Sequence, residues 1–220
     1  MQNLSFDIAH LLAGTMLVLS FVLLYQDRVT AVLNVFALQA CMLALSVAWQ
    51  SIAQNAPHLI VTAAVALGVK GFIIPAALHR IVRRLNIHRE IEQVVGAGPL
   101  MLLGLAIVAL AIMLVLPRFE GVDPLAREDL AFALAVILLG LLMMITRRNA
   151  VSQVVGFMSL ENGLILAAVG VKGMPLVVEL SIAFSVMVAF IIFGIFFFHI
   201  RERFDTLDVH DIERFRGERG

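Results

Sequence analysis

The chain has 220 residues, zero formal net charge and a mean hydropathy of +1.00, with 61% hydrophobic and 15% charged residues. A soluble domain carries about a quarter charged residues, so that class is excluded, and a neutral chain offers no electrostatic footprint for nucleic acid. The single cysteine, Cys41, lies in an apolar stretch, which rules out an internal disulfide and a multi-thiolate metal or iron–sulfur site on this chain.

The apolar residues fall in blocks of about 20, the length that crosses a bilayer. They predict an all-α, polytopic membrane protein with seven spans, embedded in the lipid bilayer. The first runs from Ile8 to Tyr25, and no basic residue precedes it in Met1 to Asp7, so it is expected to be retained rather than cleaved as a signal peptide. The second covers Val29 to Trp49 and the third Leu59 to Ile81. The fourth, Leu100 to Leu116, is bounded by Pro99 and Pro117. The fifth covers Leu130 to Ile145, with Asp123 and Pro124 offering an earlier start as N-cap and first helical residue. The sixth is Asn149 to Val171 and the seventh Leu176 to Ile200. This divides the chain into a four-helix segment (1–117), an outer loop (118–129), a three-helix unit (130–200) and a tail (201–220).

Twelve of the sixteen cations cluster at one set of helix ends: Arg28, Arg80, Arg83, Arg84, Arg89, Arg147, Arg148 and the five arginines from Arg201 to Arg219. Arg118, Arg127 and Lys172 hold the other set, and Lys70 lies inside a span. The positive-inside bias predicts an outer amino terminus and a cytoplasmic carboxyl terminus, in agreement with an odd span count. The tail mixes both charge signs with Phe204, Leu207, Ile212 and Phe215, a pattern for docking on a partner subunit. Arg28-Val29-Thr30-Ala31-Val32 parallels Arg147-Arg148-Asn149-Ala150-Val151, so the early spans read as a degenerate copy of the later ones.

Small residues let helix backbones approach closely in lipid. Ser152, Gly156, Ser159 and Gly163 share one face of the sixth span, and Ala64, Gly68, Gly71 and Pro75 are spaced the same way in the third. Pro75 has no N–H and frees a carbonyl one turn earlier, which predicts a kink or unwound turn close to Lys70.

Three charges fall inside spans, where an ionisable side chain is costly and asks for a functional reason. Lys70 is twelve residues from His58 and ten from Arg80, and Glu161 is thirteen from Arg148 and eleven from Lys172, so both sit near mid-membrane. Glu179, four residues past Pro175, is a shallower third relay candidate, which hydration at the outer face would equally explain. An acid and a base at one depth on different helices can pair. Burial and mutual attraction pull their protonation in opposite directions, the balance a proton relay uses. A static ion pair that fixes helix register is the structural alternative. Asn34, Gln39, Asn162 and His79 could extend a polar path, although helix–helix bonding explains the amides and an interfacial position explains His79. A glycine-rich phosphate loop, a metal-spaced His/Glu set and a nucleophile beside a base are all absent, so the sequence offers no catalytic site.

With those residues in hand, the chain resembles the hydrogenase-4 component E family, membrane subunits of group 4 nickel–iron hydrogenase complexes such as formate hydrogenlyase. Glu161-Asn162-Gly163, Val178-Glu179, the Lys70 and Pro75 helix and Thr206-Leu207-Asp208-Val209 carry the likeness. Residues from about 128 onward also resemble the K subunit of complex I and the C subunit of multisubunit cation/proton antiporters, through Arg147-Arg148-Asn149, Gly156, Asn162 and the tail. The K subunit's first membrane glutamate falls at Met158, three residues before Glu161, and its second near Met187. The resemblance implies a non-catalytic subunit of a bacterial inner-membrane respiratory complex, translocating protons beside other membrane subunits. No cofactor is expected on this chain; the nickel–iron site and iron–sulfur clusters would belong to partner subunits. An antiporter subunit without a redox partner and a purely structural scaffold are the rival readings.

Overall fold

The computed structural model describes residues 2–84, 95–118, 124–170 and 187, with side chains described for 7–83, 95–118, 127–169 and 187. The chain divides into two units, Met1–Ser185 and Val186–Gly220, and every helix described below lies in the first. The expected seventh span apart from Met187, the tail, Glu179 and Asp123 lie outside the described residues.

Every described element is a helix, and six spans are long and apolar enough to cross a membrane. Helix α1 (Gln2–Tyr25) and α2 (Val29–Ala53) form a hairpin. α3 (His58–Val65) continues through a π-helical segment (Ala66–Ile73) into α4 (Ile74–Arg84), and the three make one span. α5 (Ala97–Val115), α6 (Pro124–Thr146) and α7 (Ala150–Gly170) follow.

The ends follow local chemistry. Asn149 caps α7: its Oδ1 accepts from the Val151 amide at 2.8 Å. Between α2 and α3 the chain turns at Asn55, whose φ of 52° is left-handed backbone that asparagine tolerates. Two expected boundaries need correction. Pro99 does not bound α5 but sits in its first turn, where amides have no helical acceptor and a missing N–H costs nothing. The fifth span, drawn from Leu130, takes the earlier start that was also offered for it: α6 begins at Pro124, a residue suited to the first helical position.

The core is assembled by α1 (Ala13, Met16), α2 (Leu43, Val47), α3 and the π segment (Ala63, Ala66), α6 (Ala133, Val136) and α7 (Ile165, Val169). α5 is the most peripheral span, joined to α1 and α6 at Gly104, where an added Cβ would lie 2.9 Å from Phe21 and 3.3 Å from Leu139.

The closest packing lies between α6 and α7. A Cβ on Gly140 would lie 2.6 Å from the Leu160 amide and 2.8 Å from the Gly156 carbonyl. One on Gly163 would meet Ile137 at 2.8 Å. Ser152, Gly156, Ser159 and Gly163 are all buried, so the small-residue face of this span is a backbone-on-backbone contact. The matching face expected on the third span is not continuous. Ala64 is exposed and a Cβ on Gly68 would meet nothing within 4 Å among the described residues, while Gly71 and Pro75 are buried. The π-helical segment is the reason: its wider turns break the 3.6-residue step on which the expected face depends.

Candidate functional site

Pro75 shapes the site before any charge is considered. It cannot donate to the carbonyl four residues back, and its ring crowds that carbonyl. The helix opens just before it: the Ile74 amide bonds the Val69 carbonyl, five residues back. Turns of this kind inside α-helices are rare and concentrate at functional sites. Here the widened stretch carries Lys70 into the bundle. Gly71 faces α2, where a Cβ would lie 3.5 Å from the Cys41 sulfur, an ordinary contact.

Lys70 and Glu161 meet. The ammonium Nζ lies 3.2 Å from Glu161 Oε2, with the two side chains 1% and 2% exposed. Lys70 Nζ also donates to Asn162 Oδ1 at 3.0 Å. Glu161 and Asn162 are consecutive on α7, about 100° apart around the helix, so they grip the ammonium from two sides. From Asn162 the polar contacts continue: its Nδ2 donates to Gln39 Oε1 at 3.4 Å, Gln39 Nε2 donates to Ser20 Oγ at 2.9 Å, and Ser20 Oγ donates to the Met16 carbonyl at 2.9 Å. The π segment, α7, α2 and α1 are thereby joined by one buried polar chain.

Of the residues singled out in the sequence, Lys70, Glu161, Asn162 and Gln39 come together. Asn34 does not: it is exposed, five positions from Gln39 on another face of α2. His79 stays apart as well, its Nδ1 donating to the Pro75 carbonyl at 2.9 Å, one turn back on its own helix. Ser20 is the member sequence reasoning missed. A serine in an apolar helix ordinarily bonds its own preceding turn, as this one does, and nothing in the sequence marks its acceptor side as used.

Two further polar links brace the bundle at its ends. Arg147, counted in the sequence among the basic residues at one set of helix ends, is 1% exposed and donates Nη2 to the Leu24 carbonyl at 2.6 Å and to the Leu23 carbonyl at 3.4 Å. These are among the last carbonyls of α1, which have no helical donor and favour a cation. Burial holds the Arg147 guanidinium below the ordinary arginine pKa, Asp27 opposes that shift, and the group keeps its charge. At the far end of α1, His10 Nδ1 lies 3.0 Å from Asp129 Oδ1 and its Nε2 lies 3.5 Å from Glu128 Oε2, tying α1 to the start of α6. Among the described residues, no group of three or more His, Cys, Asp or Glu side chains is placed to hold a metal ion.

Comparison with known proteins gives whole-length relatives. The chain is 30% identical over 214 residues to hydrogenase-4 component E of Escherichia coli, covering 94% of this chain and 96% of that protein. It shares the same identity and coverage with hydrogenase-4 component E of Shigella flexneri. It is 29% identical over 221 residues to an uncharacterised protein of Mycobacterium tuberculosis, covering 98% of this chain and all of that protein. No family model and no solved structure matches the chain.

Proposed function

The chain belongs to the hydrogenase-4 component E family, and from that premise we propose that it is a non-catalytic membrane subunit of a group 4 hydrogenase-type, complex I-related assembly that moves protons through Glu161 and Lys70. The observation that carries the reading is the buried pair itself: a carboxylate and an ammonium 3.2 Å apart, on separate spans, near the middle of each. Such a pair titrates as a unit, so a charge arriving nearby changes which protonation state is preferred. Moving one charge through 100 mV takes about 2.3 kcal/mol, a quantity that a redox reaction on partner subunits can supply. The arginine-rich ends face the cytoplasm in this reading, and the membrane is the bacterial inner membrane.

The test is Glu161→Gln in the assembled complex, with redox turnover and proton movement measured together in sealed vesicles. The expected result is retained redox chemistry with fewer protons moved per turnover; unchanged coupling would refute the proposal. One observation also favours a structural reading: Lys70 is held by Glu161 and Asn162 together, as a static register device would be. That reading expects Glu161→Gln combined with Lys70→Met to restore full coupled activity, whereas the relay reading expects assembly without proton movement. The antiporter alternative is less supported, since the named relatives above are hydrogenase components.

A further inference from the structure

The polar chain that leaves Lys70 has a direction. An ammonium can only donate, so Asn162 must turn its oxygen toward Lys70 and its NH₂ toward Gln39. Gln39 must then present its oxygen to Asn162 and its NH₂ to Ser20. Ser20 accepts from Gln39 and passes its own hydrogen to the Met16 carbonyl, which can only accept. A chain bounded by a donor-only group and an acceptor-only group has one polarity, and the side-chain orientations follow from its two ends.

The opposite polarity is open only to a neutral Lys70. An amine lone pair could then accept from the Asn162 NH₂, with both amides turned over and the Ser20 hydrogen directed at Gln39. That arrangement gives up the bond to Met16. Amide groups do not readily carry protons, so Asn162 and Gln39 are poor relay members, but they are well suited to holding an acceptor against a cation.

We infer that Gln39 and Ser20 are positioning residues that act through Asn162: they fix its carbonyl against the Lys70 ammonium and confine proton exchange at Lys70 to the Glu161 side. The functional half of this inference rests on the proton-transfer reading above; the orientation half does not. Ser20 on α1 thereby senses the protonation of Lys70 through two amides on two other helices. The cysteine beside Gly71, Cys41, approaches the π segment from α2 at the helix backbone and takes no part in the chain.

The experiment has two readouts on the full chain. In the first, the Asn162 side-chain amide is followed by ¹⁵N NMR in detergent-solubilised protein, comparing wild type with Lys70→Met plus Glu161→Gln, a combination that leaves no unpaired buried charge. One amide orientation is expected in wild type, and a second becomes populated in the double variant, where only the Met16 end still favours the original polarity. A single unchanged orientation in both would overturn the inference, whatever the activity data show. In the second, the assembled complex carries Gln39→Met, which keeps shape and removes both polar atoms, or Gln39→Glu, which keeps an acceptor for Asn162. Gln39→Met is expected to lower proton movement per turnover by about threefold to tenfold, the size of one neutral hydrogen bond, and Gln39→Glu to recover most of it. Equal effects of the two substitutions would mean that position 39 matters only for packing. Should Glu161→Gln leave coupling intact while the NMR result holds, the proton-transfer reading falls and the orientation of the chain stands.

Discussion

Removing one member of the buried pair and removing both should have opposite consequences. With Lys70 Nζ 3.2 Å from Glu161 Oε2, the attraction is about 5 kcal/mol at an effective dielectric of about 20. The desolvation of two ions offsets much of that gain, so the pair as a whole contributes little net stability. A single substitution leaves the desolvation cost of the survivor uncompensated. Glu161→Gln leaves a buried ammonium bonded to Asn162 with no carboxylate beside it and should cost about 3–5 kcal/mol. The double substitution should return to within about 1–2 kcal/mol of wild type, a coupling energy of several kcal/mol in a double-mutant cycle. The assay is reversible unfolding of the full chain in mixed detergent micelles, monitored by helical circular dichroism. A Glu161→Gln loss below about 1 kcal/mol, or a double variant no more stable than Glu161→Gln alone, would refute a desolvated contact between these two side chains.

Other perturbations address the supports of the site. Gly140→Ala places a methyl 2.6 Å from the Leu160 amide and should cost about 1–3 kcal/mol in the same unfolding assay, by forcing α6 and α7 apart. Pro75→Ala returns a donor to the helix and removes the reason for the widened turn; proton movement per turnover should fall while the complex still assembles, and retained coupling would detach the π segment from function. Arg147→Leu takes a charged donor from the Leu23 and Leu24 carbonyls and should lower stability by about 2 kcal/mol, measured by the same denaturation.

How much of this was visible beforehand differs by residue. Lys70 and Glu161 were legible because depth in a span is a matter of counting, and two opposite charges at one depth have few other partners. The α7 face of Ser152, Gly156, Ser159 and Gly163 was legible because that helix keeps one period throughout. The face from Ala64 to Pro75 was misread for the opposite reason: an irregularity near Pro75 was foreseen, but the π-helical stretch Ala66–Ile73 changes the angular step from which the face was built. Ser20, the burial of Arg147 and the His10–Asp129 contact were not legible. Each depends on which helices become neighbours, and apolar spans in lipid carry little sequence record of that arrangement. Gln39 could be nominated for a polar path, but Asn34 could be nominated equally well, and only the rotation of α2 separates them.

The glycine contacts between α6 and α7 give the two members of the ion pair unequal footing. Glu161 rides on a helix whose main chain is pressed against that of its neighbour, with no side-chain layer between them to yield. Lys70 rides on a stretch with an irregular turn and, at Gly68, no close neighbour among the described residues. Strain arriving at this contact from elsewhere in an assembly is therefore taken up on the lysine side, with the carboxylate as the fixed jaw against which the gap opens or closes.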